Sequence, residues 1–179
     1  IPAYPQCIGV VTSRSGAALR DILRTILRRD PFARVLFSFT AVQGKDAAAS
    51  IAAAIESLDA LGRADVILVA RGGGSIEDLW CFNEEIVARA IVNARVPVVT
   101  GIGHETDTTI ADLVSDLRAS TPTAAAETFA PTRSRVRQHW TLLADRLQRA
   151  LIGIVQKKSR RLLQLEARLL DPRALLRRR

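Results

Sequence analysis

The residues best suited to do chemistry in this sequence lie in Gly101-Ile102-Gly103-His104-Glu105-Thr106-Asp107, which holds one of only two histidines. An imidazole takes or gives a proton near neutral pH, and Asp107, three residues on, can orient the ring or hold a water or a cation. A zinc-protease HExxH pattern would need a second histidine where Thr108 stands, so that chemistry is excluded. The structural alternative has His104 hydrogen-bonded in a loop and the two acids capping a helix. A second stretch, Arg71-Gly72-Gly73-Gly74-Ser75, suits an anion. Its glycines leave the backbone free to take positive φ and bring N–H groups close to a phosphate, and Arg71 adds a planar donor fork. It is neither a dinucleotide GxGxxG nor a P-loop ending in Lys-Ser/Thr, which argues against NAD or ATP; a plain flexible turn is the alternative. Asp21 stands in the first turns of a helix that follows Ser13, Ser15 and Gly16, and its plainest role is a solvent-facing acid pairing with Arg20 or Arg24. Asp112 and Asp116 share a helix face and could hold a cation, although salt bridging or capping is the simpler use. His139, beside Trp140, reads as surface.

These residues need elements to position them. Cys7 to Thr12 is an apolar strand, after which Ala17, Leu19, Ile22, Leu23, Ile26 and Leu27 recur at helical spacing. Arg34 to Val42 alternates as a second strand, and Asp46 N-caps an Ala-rich helix holding Ile51, Ile55, Leu58 and Leu61. Val66 to Ala70 is a third strand ending at the glycines, followed by a helix carrying Phe82, Ile86, Val87, Ala90 and Ile91. Val96 to Thr100 is a fourth strand, and Thr108 to Val114 resumes helical spacing. Strand and helix thus alternate four times with strands apolar on both faces, which predicts an α/β, Rossmann-like parallel sheet with flanking helices. Ligands of such sheets bind beyond the carboxyl ends of the strands, so Ser13, Ser15, Arg71 to Ser75 and Gly103 to Asp107 are expected around one crevice.

Thr121-Pro122 starts a short helix, and beyond Pro131 a 4-3 apolar spacing through Val136, Trp140, Leu143, Leu147, Ala150 and Ile154 predicts a long basic helix or coiled-coil arm, stopping near Asp171-Pro172. We therefore expect an α/β domain over 1–130 and the arm over 131–179. The overall charge of +8 is lopsided: residues 1–129 carry 12 Lys+Arg against 15 Asp+Glu, whereas 130–179 carry 14 against 3. A basic elongated segment on a near-neutral core suits a protein that holds a polyanion near a site located elsewhere; a solvated helix face is the alternative. Cys7 and Cys81 fit no disulfide framework or metal spacing and are expected to be reduced core thiols. With no membrane-length apolar run and no leading signal segment, the chain is expected to be soluble and cytoplasmic. It opens without Met and ends in three arginines, as part of a longer protein would.

Taken together, Ile8-Gly9-Val10-Val11-Thr12-Ser13 with Gly16-Ala17-Ala18 and Asp21-Ile22-Leu23, Val42-Gln43-Gly44, Ala70 to Trp80 with Phe82-Asn83, Gly103 to Asp107, and Thr121 to Glu127 closely resemble the large subunit of exodeoxyribonuclease VII. The resemblance covers about residues 4–130, in order. It implies an exonuclease that hydrolyses single-stranded DNA from both ends to short oligonucleotides and 5′-phosphorylated ends. It also implies an N-terminal OB-fold outside these residues and a coiled-coil arm carrying several copies of a small subunit. Carried over by motif, the catalytic positions are Asp21, Arg71, His104 and Asp107, and Cys81 departs from the Ala or Ser expected after the Trp. The implied mechanism has His104 activating a water held by Asp107 or Asp21. Arg71 and the N–H groups of Gly72, Gly73 and Gly74 stabilise the phosphate charge, with Ser13, Ser15 and Ser75 as further phosphate contacts. No metal is required, although Asp107, with Glu105 and Asp112, would admit Mg²⁺. The competing readings are a non-catalytic phosphate or nucleotide binder that assembles through its coiled coil, and a DNA scaffold.

Overall fold

The computed structural model describes residues 1–2, 5–129 and 133–169, in two compact units, Ile1–Arg133 and Ser134–Arg179. In the first unit five strands form one parallel sheet in the order β2-β1-β3-β4-β5, with β1 at Cys7–Thr12, β2 at Arg34–Phe39, β3 at Val66–Arg71, β4 at Val98–Ile102 and β5 at Leu117–Ala119. The helices are α1 (Ala17–Arg29), α2 (Ala47–Leu61), α3 (Ile76–Leu79), α4 (Glu85–Asn93), α5 (Ile110–Val114) and α6 (Pro122–Phe129). Strands with apolar residues on both faces demand a cover on each side. Ile8, Val10, Val66, Leu68 and Val99 pack with Ile22 and Ile26 of α1 and Ala125 and Ala126 of α6. Val11, Ile67, Val69 and Val98 meet Ile51, Ile55 and Leu58 of α2 and Val87 and Ile91 of α4 on the other face. The predicted α/β sheet with flanking helices is present.

The chain leaves β1 for β2 in one direction along the sheet and then reverses to add β3, β4 and β5 on the other side. The reversal puts the topological switch point between β1 and β3, beyond whose carboxyl ends open α/β sheets bind their ligands.

Four local differences from the sequence reading have physical causes. The second strand stops at Phe39, the last residue paired with β1, and Val42 turns inward against α2. The fourth begins at Val98 and not at Val96. The Arg95 and Val96 N–H groups donate to the Asp59 carboxylate at 2.9 and 3.0 Å, and Pro97 has no N–H to give a ladder. It also runs through Gly101, where a side chain would meet Ala125, Pro122 and Thr121 at 3.0 Å, so this glycine lets α6 lie on the sheet. The expected single helix around Phe82 is α3, a 3-10 turn over Trp80–Asn83 and α4. Leu79, Cys81 and Phe82 are all buried, a spacing that no single helical face accommodates. Asp112 and Asp116 do not share a helix face, because α5 ends at Val114: Asp112 caps Thr109, and Asp116 accepts the Val98 N–H at 2.7 Å.

Both cysteines are buried free thiols, as expected, and burial pushes the Cys81 thiol up against the opposing pull of Arg71. The described residues of the second unit lie in one helix, α7 (Arg133–Leu169), about 55 Å long at 1.5 Å per residue. Trp140, Leu143, Leu147 and Ile154 are exposed along it, as is His139. The expected stop at Asp171-Pro172 lies outside the described residues. Among those described, no helix is long and apolar enough to cross a membrane.

Candidate active site

Three loops meet at the carboxyl edge of the sheet. The last residues of β3 and β4 pair, Arg71 with Ile102, and Gly103 N–H donates to the Arg71 carbonyl at 3.1 Å, so the loops after these strands leave the sheet side by side. Ala18, at the start of α1, lies 3.9 Å from where a side chain on Gly72 would begin, which brings the loop after β1 to the same place.

The contact that joins the chemistry is between Gly73 and His104. A Cβ on Gly73 would fall on the imidazole, with Nδ1 at 2.9 Å, so the ring lies against the bare backbone of the glycine loop. At Gly74 the space of a side chain is filled by the Arg71 guanidinium, with Nη2 at 2.6 Å. None of the three glycines takes a positive φ; Gly44, Gly62 and Gly103 do. Room for the His104 ring and the Arg71 fork, not conformational freedom, is therefore what excludes side chains from Gly73 and Gly74.

Arg71 is buried, at 6 % exposure, and its donors are largely engaged. Nη2 donates to Gln43 Oε1 at 2.9 Å and lies 3.2 Å from Asp78 Oδ2, while Nη1 reaches the Gly72 carbonyl at 3.3 Å. Asp78 Oδ2 also accepts the Ser75 N–H at 3.3 Å, which ties the end of the glycine loop to the start of α3. The guanidinium thus braces the loop and adds a positive charge beside it.

His104 is exposed, with Nδ1 3.5 Å from Asp107 Oδ2, and that same oxygen accepts the His104 backbone N–H at 2.8 Å. Thr106 Oγ1 donates to the other oxygen at 3.3 Å. These bonds, the one from the His104 backbone foremost, hold the Asp107 carboxyl below the usual carboxylate range, with the His104 side chain adding to the effect. The tight turn needs φ +66° at Gly103, where a side chain would meet Asp107 Oδ2 at 2.5 Å and Leu79 at 3.0 Å. From β5, Arg118 Nη2 donates to the carbonyls of Glu105 and Asp107, both at 2.9 Å, and Asn83 Oδ1 accepts the Ile110 N–H at 2.8 Å where the loop enters α5.

Ser13 Oγ sits over Gly16, 2.6 Å from its Cβ position, and Ser15 is exposed in the same loop. Asp21 is exposed on α1, three residues and so about 60° round from Ala18. No hydrogen bond or ion pair joins it to Arg20 or Arg24 among the described residues. Glu105 is exposed, whereas Asp112 is buried against Thr109, its Oδ1 without a partner. Among the described residues no group of three His, Cys, Asp or Glu side chains is close enough to hold a metal ion, and a divalent cation at Asp107 would rely on substrate oxygens and water for its other ligands. Of the chemistry-bearing residues read from sequence, the structure brings Arg71, the glycine loop, His104 and Asp107 together, and no hydrogen bond or ion pair joins them to Asp21, Ser13 or Ser15 among the described residues. Sequence reasoning named Gln43, Asp78 and Asn83 only within the family motifs, without a role, and missed Arg118; these are ordinary polar residues whose role appears only when they reach a loop. It also missed Arg14, whose guanidinium lies 5.7 Å from the Phe39 ring at the end of β2.

Comparison with known proteins adds an independent finding. The family model described as "Exonuclease VII, large subunit" matches residues 1–179. The chain is 58% identical over 147 residues to the exodeoxyribonuclease 7 large subunit of Geobacillus kaustophilus, covering 82% of this chain and 31% of that protein. It is 49% identical over 169 residues to the one from Haemophilus influenzae, covering 94% and 38%, and 50% identical over 172 residues to the one from Hahella chejuensis, covering 96% and 39%. The chain spans about a third of the length of these curated relatives.

Proposed function

The chain belongs to the exonuclease VII large-subunit family, and from that premise we propose that its α/β unit is the catalytic core of an exonuclease acting on single-stranded DNA. The products are short oligonucleotides with 5′-phosphorylated ends, released from both ends of the strand. One observation carries the reading: an exposed imidazole with a carboxylate at its Nδ1 rests directly on a glycine loop able to seat a phosphate.

In this reading the scissile phosphate lies over Gly72, Gly73 and Gly74, whose N–H groups and the adjacent Arg71 charge stabilise the negative charge that grows on its oxygens, with Ser75 at the end of the loop as a further contact. Ser13 and Ser15 hold the phosphate from the loop after β1. His104 Nε2 takes the proton of the attacking water while Asp107 Oδ2 orients Nδ1, and the leaving 3′ oxygen, on the opposite side of the phosphorus, takes its proton from solvent. Asp21, exposed on α1, holds the water in this scheme. No metal is required in this scheme; Mg²⁺, if used, binds at Asp107. The arm packs its 4-3 stripe on several copies of a small subunit as a coiled coil, and its arginines and lysines track the strand. The enzyme works in the cytoplasm, where Cys7 and Cys81 stay reduced.

The test is cleavage of end-labelled single-stranded DNA by the full-length subunit with its small subunit, in Mg²⁺ and in EDTA, beside a duplex control. Short products from the single strand with label at either end support the reading. No products under either condition would leave a phosphate-binding assembly module.

A further inference from the structure

The stretch after the glycine loop is clamped from two directions. Leu79 Cδ1 lies 3.0 Å from the Cβ position of Gly103, Asp78 is paired with Arg71, and Cys81 and Phe82 are buried. Two large apolar side chains four residues apart are left in solvent, Ile76 at 72% exposure and Trp80 at 61%. Ile76 opens α3 and Trp80 directly follows its last residue, so the exposed apolar surface of this stretch is carried by these two residues. Among the described residues no aromatic ring or cation packs on the indole. Its place is set by a short chain of contacts: Trp80 follows Leu79, Leu79 touches Gly103, and His104 follows Gly103. An exposed indole thus follows directly on the side chain that packs against Gly103, the residue before His104.

We propose that Trp80, flanked by Ile76, is a stacking platform for a nucleobase of the strand whose phosphate lies on Gly72–Gly74; this rests on the nuclease reading of the site. A base next to a bound phosphate is tethered within reach of the patch, and its π-face stacks on indole whatever its sequence. In a duplex the base faces are already covered by their neighbours, so the platform accepts only an unstacked strand. It gives the preference for single strands a residue next to the catalytic loop.

The experiment uses the full-length subunit with its small subunit in a His104→Ala background, which keeps the DNA intact. Binding is measured by fluorescence anisotropy to an oligothymidylate and to an abasic oligomer of equal length, which keeps the phosphates and lacks the bases. Trp80→Ala weakens binding of the oligothymidylate by roughly tenfold or more, leaves the abasic oligomer unaffected, and is largely rescued by Trp80→Phe. Equal loss on both ligands, or no loss, overturns the proposal. So does a Trp80→Ala subunit that binds DNA normally but separates from its small subunit on gel filtration, which makes the patch a protein interface. Base-dependent binding at Trp80 by a wild-type complex that cleaves nothing would keep the platform and remove the nuclease reading.

Discussion

Replacing Gly73 by alanine separates position from presence at the candidate site, because the substitution leaves every catalytic side chain in place. His104 Nε2 lies 2.5 Å from where the new Cβ would stand and Cε1 lies nearer still, while ordinary contact begins at 3.4 Å, so the ring must retreat by more than 0.9 Å. Gly73 does not have a positive φ, so alanine meets no backbone strain. The His104 side chain is 68% exposed and can swing into solvent. Stability should therefore change by no more than about 0.5 kcal/mol. A displacement of about 1 Å at a reacting group costs roughly a hundredfold in rate, or about 2.7 kcal/mol of barrier. The assay is single-turnover cleavage of end-labelled single-stranded DNA by the subunit complex, with thermal denaturation and DNA affinity measured on the same preparations. A variant that melts and binds like the wild type but cleaves about a hundredfold more slowly is the expected result. Wild-type cleavage by Gly73→Ala would refute the claim that the glycine loop sets the position of the imidazole.

Other perturbations follow from the same geometry. Gly103→Ala combines φ +66° with a clash against Asp107 and Leu79, and should lower stability by about 1–2 kcal/mol, read from urea denaturation. Asp59→Ala strips the acceptor from the Arg95 and Val96 N–H groups at the entry to β4 and should cost about 2 kcal/mol in the same assay without changing the single-turnover rate per folded molecule. Because the Asp107 carboxyl is depressed, its contribution is complete above the unfolded carboxylate value of about 3.9 and is lost as pH falls through the lower folded value. The difference in melting temperature between wild type and Asp107→Asn should accordingly be constant from pH 8 to 5 and shrink only below about pH 4; a difference that decays between pH 7 and 5 would contradict the Asp107 bonding described here.

Much of the fold was legible because two-sided apolar strands such as Val66 to Ala70 and amphipathic helices such as the one holding Ile22 and Ile26 are strong local signals. The crevice followed from the strand-helix alternation together with where the glycines and the histidine fell. What escaped was non-local. Leu117–Ala119 is three residues long with Arg118 in its middle, and only pairing with Val99 to Gly101 makes it a strand. Gly101 read as the end of a strand because the approach of α6 is invisible in a one-dimensional pattern. The triple glycine was recognised as an anion loop for conformational freedom, whereas packing of His104 and Arg71 against it is the observed reason for its bareness. Gln43 and Asp78 stood in the family motifs without a legible role, since that role depends on reaching a guanidinium from 28 and 7 residues away in sequence.

The central claim is that His104, held on the glycine loop, moves the proton in phosphodiester cleavage. Its most direct test is the single-turnover rate of His104→Ala beside the DNA affinity of the same variant, both in the assembled enzyme. The account predicts a rate lower by roughly 10²- to 10⁴-fold with affinity nearly unchanged. Cleavage at the wild-type rate, or a loss of rate matched by an equal loss of affinity, would contradict it.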